Sequence, residues 1–264
     1  MKKTEKHNYN LILGIVLTAI VLIPAVIGIF YTPYDTESMN LALKMASPSF
    51  SHPMGCDNYG RDIFSRIMKG SSITFLIGVG TVFWGSLIGT LVGAFTAYYG
   101  GVVDEILMRV NDVIFSFPSL LLALVFVAIL GPGTYQVLFA LAIAFIPSYA
   151  RVVRGEFLRQ KSMDYVQLAR LAGAKDLRIM FVHILPNIRK VLISSILIGF
   201  NNAVLAEAGL SFLGIGVSPP KASLGSMLSD AQTYLFSKPE LALFPGLTII
   251  IMVLGISLIS KEVA

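Results

Sequence analysis

The sequence predicts an all-α polytopic membrane protein with six transmembrane helices, and three observations carry that reading. Of 264 residues, 55% are hydrophobic and 13% charged, where a soluble domain carries roughly a quarter of its residues charged to cover its surface. The mean hydropathy is +0.78, and the apolar residues run in uninterrupted blocks, which a soluble core does not need. The excess positive charge sits in one segment, so the formal +5 and the pI near 9.3 do not describe the basic face of a nucleic-acid binder.

A helix rising about 1.5 Å per residue crosses a bilayer core in roughly 20 apolar residues. Leu11 to Tyr31 meets that length. It follows Lys2, Lys3 and Lys6, but it is too long for a signal-peptide core and no small-residue cleavage pattern follows it, so it reads as a retained span. The uncharged run Gly70 to Val103 holds a second, tilted span centred on 75–98. Val113 to Ala150 carries no charge, yet Gly131-Pro132-Gly133-Thr134 breaks it with a turn, giving spans near 115–130 and 135–150. A fifth, Val191 to Ala206, is short and contains Asn201 and Asn202. Leu241 to Ser260 is the sixth. The chain divides into an N-terminal tail, first span and outer loop (1–70) and a five-helix core (71–264).

Lys and Arg resist translocation and mark cytoplasmic loops. With the N-terminus inside, the inner segments hold 14 of the 20 Lys and Arg and the outer segments 6, so both termini are expected in the cytoplasm. The segment 151–190 alone holds nine, and its net +6 exceeds the +5 of the whole protein.

That segment reads as structured. Asp164 stands before a helical pattern with Gln167 three residues on, a variant capping box. Tyr165, Leu168, Ala169 and Ala172 form one apolar stripe. Gly173 suits a left-handed helix end. Asp176 is expected to cap a second helical piece, Leu177 to Leu185, that stops at Pro186. From the residues alone two roles stay open: an amphipathic hairpin on anionic lipid, or a docking element for a cytoplasmic partner.

The rest of the chain narrows the classes. One cysteine, Cys56, excludes an internal disulfide and a cysteine metal cluster. His7, His52 and His183 lie in separate segments without metal-ligand spacing. Gly209-Leu210-Ser211 is followed by Phe212, and no His lies in a span, so an intramembrane serine protease is disfavoured. Gly214-Ile215-Gly216 has no Lys at the position a phosphate loop needs and reads as a close-packed outer turn leading to Pro219-Pro220. Arg61, Asp62 and Arg66 form a charged patch in the first outer loop, either a salt-bridge cluster that holds the loop, or a surface that receives a substrate-binding protein or shapes an outer gate. Arg109 stands one helical turn after Asp104 and Glu105, which suits helical pairing. Asn201, Asn202 and Glu207 either tie helices together or line a path.

Several stretches, taken together, resemble one family. Gln167-Leu168-Ala169, Gly173 and Ile184-Leu185-Pro186 resemble the EAA loop of ABC importer permeases. Gln167 and Leu168 replace the Glu-Ala of the usual pattern, which removes a charge. His183 within HILPN is similar to the dipeptide/oligopeptide/nickel branch. HPMGCDNYGRDIFSRIMKG (52–70), with Cys56 where that branch has Thr, GGVVDEILMRVNDVIFSFPSLLLA (100–123) and LAEAGLSFLGIGVSPP (205–220) resemble further segments of the same branch, and of its second type of permease subunit. Relatives carry a longer tail than Lys261 to Ala264.

The resemblance implies a type I importer permease fold in a bacterial or archaeal cytoplasmic membrane. It implies a coupling loop in which Asp164, Tyr165, Gln167, Leu168, Ala169, Arg170, Ala172, Gly173, Ala174, His183, Leu185 and Pro186 meet an ATPase. The implied partners are a second homologous permease, two ATP-binding subunits and an extracytoplasmic substrate-binding protein. ATP and Mg belong to the ATPases, since this chain has no Walker A pattern; no cofactor, catalytic residue or metal is assigned to the chain itself. The expected cargo is di- or oligopeptides, with nickel or another metal chelate as the alternative. A stand-alone channel or secondary transporter leaves the structured loop unexplained.

Overall fold

In a computed structural model of the chain, the backbone is described from Lys2 to Val263 and the side chains from 9 to 262; Lys2, Lys3, Lys6 and His7 lie outside the described side chains. No strand forms among the described residues. Five helices are long and apolar enough to cross a bilayer, and a bent pair of shorter helices brings the number to six if the pair counts as one span.

Helix α1 (Lys2–Phe30) packs against the last helix and against α2 (Ile63–Tyr99). A Cβ on Gly14 would meet the carbonyl oxygen of Gly255, and one on Gly28 the backbone of Met68, so α1 lies on its neighbours at glycine distance. The Ser72 hydroxyl donates to the Ala25 carbonyl across the α1–α2 seam. Helix α2 runs 37 residues, about 55 Å at the helical rise and well beyond the bilayer core. The Asp62 carboxylate caps it, accepting from Ser65 N–H at 2.7 Å.

Along α2, Gly85, Gly89 and Gly93 recur every four residues on the face that meets α5 (Thr134–Lys161). A Cβ on Gly89 would strike Ile146 O and Ala150 N, and one on Gly93 would strike Ala150 O and Arg154 N. Small residues at that spacing let two backbones approach, the usual source of helix association where lipid supplies no hydrophobic drive.

The third span departs from the sequence expectation. A straight helix near 115–130 is replaced by α3 (Gly101–Phe115) and α4 (Ser119–Leu130), bent by 89°. Pro118 has no N–H and pushes Phe117 out of helical geometry, so the helix breaks there. Twelve residues of α4 rise only about 18 Å, too short to cross alone. Asp104, Glu105 and Arg109 lie on α3, as their helical spacing predicts. Asp104 accepts two hydrogen bonds from Arg154 of α5, at 2.7 and 2.6 Å, and Asp112 one from Arg151 at 2.7 Å. Arg109 pairs with Glu105 at 2.6 Å, four residues back.

The fourth and fifth spans are longer than their apolar runs. Helix α5 continues past Ala150 to Lys161, and α8 (Arg189–Phe212) carries Asn201, Asn202 and Glu207 inside it. Between them stand α6 (Asp164–Leu171), the single turn α7 (Asp176–Arg178) and a π-helical turn, Ile179–Ile184. Pro186 was expected to end this piece; instead a 3-10 turn, Leu185–Ile188, carries the path straight into α8. The widened π turn just before Pro186 takes up the ring's clash with the preceding turn. After α8 the chain turns back into α9 (Leu224–Ala231), and α10 (Glu240–Val263) closes the bundle.

Two apolar cores result. One fills the bundle of spans. The other lies at the end carrying α6, where Ala94 and Tyr98 of α2, Phe157 of α5, Val166 of α6 and Ile179, Met180 and Ile184 of the π turn pack together.

Candidate functional site

The hairpin 164–187 is built against the end of α2. Helix α6 closes with a left-handed residue, Gly173 (φ +81°), and two bonds: Ala174 N–H to Ala169 O and Gly173 N–H to Arg170 O, each 3.0 Å. This is a Schellman closure, and it falls on the glycine the sequence singled out. The two expected aspartate caps do not form. Met163 and Lys175 occupy the cap positions, and neither makes a side-chain cap bond. Asp164 is the first helical residue. Asp176 turns its carboxylate to the Tyr98 hydroxyl, which donates at 2.6 Å. Arg170 reaches the same hydroxyl at 3.3 Å, and Lys161 donates to the carbonyls of Ala97 and Tyr98. Three elements therefore converge on the last turn of α2.

The expected stripe splits between two faces. Val166, which it omitted, is buried; Tyr165 and Ala169 pack on the second core. Leu168 and Ala172 point outward with Gln167. Leu168 is 64% exposed and the neighbouring Leu171 85%. Leu177 and Val182 are also exposed, so the hairpin presents four large apolar side chains outward while its other face packs on the second core. Arg170, Lys175 and Arg178 stand exposed as well. Leu185 is half-buried against the second core, and the His183 carbonyl accepts from Asn187 at 2.7 Å.

At the opposite end, Arg61 and Arg66 are buried and share acids. Arg61 pairs with Asp57 at 2.7 Å, Arg66 with Asp57 at 3.5 Å, and both reach Asp230 of α9 at 3.5 Å. His52 meets Asp62 at 2.8 Å. The cluster fastens the loop after α1 and the first turn of α2 to α9. Burial, then the nearby carboxylates of Asp62 and Asp57, push the Cys56 thiol up.

Glu207 and the two asparagines, grouped by sequence, are separated by the structure. Glu207 is fully buried and accepts from Thr74 Oγ1 at 2.8 Å and Ser211 Oγ at 2.7 Å. Thr74 Oγ1 accepts from Leu224 N–H at 3.3 Å, and Ser211 Oγ from Val217 N–H at 3.1 Å. One carboxyl thus joins α2, α8, the returning chain and α9. Asn201 Oδ1 is buried without a hydrogen bond. Asn202 opens into a cavity of about 760 Å³ between the α3–α4 bend, α5 and α8. Sequence reasoning missed Tyr98, Thr74 and the cavity serines, because each matters through a contact with a residue far along the chain.

A bundle of apolar spans with a structured, outward-facing hairpin between the fourth and fifth defines the membrane-embedded subunit of a transport system. The family model described as "Binding-protein-dependent transport system inner membrane component" matches residues 85–261, and the chain belongs to that family: it is a permease subunit of a binding-protein-dependent ABC transporter. It is 40% identical over 247 residues to a putative peptide transport system permease protein of Brucella suis biovar 1 (strain 1330), covering 94% of this chain and 83% of that one. It is 40% identical over 259 residues to the glutathione transport system permease protein GsiD of Salmonella typhimurium (98% and 85% covered). It is 41% identical over 235 residues to GsiD of Pectobacterium atrosepticum (87% and 77% covered).

Proposed function

We propose that this permease imports di- and oligopeptides, paired with a second permease and driven by two separate ATPase subunits that receive the hairpin 164–187. ATP and Mg are held by those subunits, and an extracytoplasmic binding protein delivers the peptide. In this reading the hairpin and both termini face the cytoplasm, the side that the Lys and Arg bias favours. The observation that carries the docking role is the outward set of Leu168, Leu171, Leu177 and Val182. These side chains are exposed on an element whose other face packs on the second core, and large apolar side chains left outside on a charged, structured segment suit an interaction site. The peptide reading is supported by the names of the relatives, peptide and glutathione permeases. Closure of the ATPases on ATP would move the hairpin, and through Tyr98 and the second core the ends of α2 and α5.

Gly173→Asp tests docking. A Cβ there meets nothing within 4 Å, but φ +81° strains any L side chain; Asp and Asn bear that region better than most residues, so Gly173→Asn, with the same strain and no charge, is the control. A charge placed near Leu171 should lower the co-purified ATPase by at least about tenfold, some 1.4 kcal/mol of affinity, with permease yield unchanged. Normal ATPase yield and normal transport would refute the docking role.

A further inference from the structure

The cavity beside α8 has a composition that none of the packing explains. Its wall holds Ser116 and Ser119 at the α3–α4 bend, Ser148 and Tyr149 on α5, and Ser195 and Asn202 on α8, among aliphatic and aromatic residues. No Asp, Glu, Lys, Arg or His lines it. Ser119, Ser148 and Asn202 are exposed, each on a helix of the spanning bundle. Polar side chains on membrane-spanning helices are costly against lipid and tend to face a cavity or another protein surface.

We propose that this cavity is the chain's half of the translocation path, and that it holds short peptides through hydrogen bonds to their backbone rather than through ion pairs. The proposal rests on the peptide reading above. Ser116 and Ser195 donate their own protons back to Val113 O and Val191 O, at 2.7 and 2.8 Å, which leaves their lone pairs for an incoming N–H. Asn202 offers both a donor and an acceptor, as each peptide unit does. A fixed charge in this low-dielectric wall would trap cargo of one sign and repel the other; a neutral wall engages only what all peptides share. The volume, about 760 Å³, falls in the range of roughly 300–1,000 Å³ that small-ligand sites occupy. Tyr149 lies over Gly199, where a Cβ would collide with its hydroxyl, so the glycine makes room for the ring in this wall.

The test uses the full complex in vesicles. Cys56, buried, is replaced by Ser, and single cysteines are placed at Ser119, Ser148 and Asn202, with Ile20→Cys on the exposed face of α1 as the control. A water-soluble methanethiosulfonate reacts with thiolate, which forms in a wet path and not in lipid. Reaction at the three path positions should be at least about tenfold faster than at position 20, and slowed when binding protein loaded with trialanine and ATP are supplied. Rates no faster than the control would place the cavity under lipid or a neighbouring subunit and overturn the proposal. Accessibility is read without transport, so a complex that labels as expected but carries no peptide counts against the peptide reading instead. In the transport arm, Asn202→Leu should slow Ala-Ala-Ala, Ala-Lys-Ala and Ala-Glu-Ala by one common factor relative to the unsubstituted complex. A factor that differs between the Lys and Glu peptides would overturn the neutral path.

Discussion

The Tyr98 hydroxyl, on the last turn of α2, donates a 2.6 Å hydrogen bond to the carboxylate of Asp176, the first residue of the hairpin's second half. Tyr98 is 5% exposed, Arg170 from the first half reaches the same oxygen, and Lys161 holds the backbone beneath it. A push on either half of the hairpin therefore arrives at a single side chain of the longest helix.

Tyr98→Phe keeps the ring and removes only the donor. A hydrogen bond to a charged acceptor contributes about 1.5–3 kcal/mol, enough to loosen the hairpin without unfolding a bundle held by α2 and α5. Complex yield and basal ATP hydrolysis should persist while peptide transported per ATP falls. The measurement is that ratio in proteoliposomes, and an unchanged ratio would remove Tyr98 from the relay.

Glu207→Ala would leave the hydroxyls of Thr74 and Ser211 without their acceptor inside the protein. Each buried polar group stranded in this way costs about 1–3 kcal/mol, so the purified permease should show a clearly lower Tm. Glu207→Gln, which retains one acceptor oxygen, should recover part of it. Lost transport at an unchanged Tm in both variants would instead favour a role in the path.

The glycines of the α2–α5 seam should differ sharply from a glycine on an open face. Gly93→Val drives a side chain into Ala150 O and Arg154 N and should abolish assembly, read as loss of the monodisperse complex in size-exclusion chromatography. Gly155, on α5, has open space where its Cβ would go. Gly155→Ala should be neutral or stabilising by up to about 1 kcal/mol from helix propensity.

Much of this architecture was legible in the residues. Long apolar runs located α1, α2 and α10 because membrane spans must be apolar along their length. Gly173 announced its left-handed turn because few other residues accept one. The bend at Phe117-Pro118 was hidden: hydropathy counts apolar residues and carries no direction, and α4 is as apolar as any span. Helix α5 ran past its apolar segment because Arg151, Arg154 and Lys161 find partners on α3 and α2, which composition cannot show. Asp176 has the sequence of a helix cap, but a tertiary partner, Tyr98, claimed its carboxylate. Leu168 fitted the apolar stripe by spacing, yet Val166 took the inner position, and Leu168 was left exposed. Glu207 was readable as costly and therefore partnered; that Thr74 was the partner was not.

The central claim is that the hairpin's exposed apolar side chains seat in an ATPase, and a cross-link from Leu171, the most exposed of them at 85%, tests it most directly. With a photoreactive benzoylphenylalanine at 171 and, as control, at Tyr135 near the start of α5, illumination of membranes should join position 171 to the ATPase subunit and leave 135 unjoined. Gly173→Asp in the same chain should weaken that band. Labelling of lipid alone at 171, in membranes where the ATPase is present and active, would contradict the account.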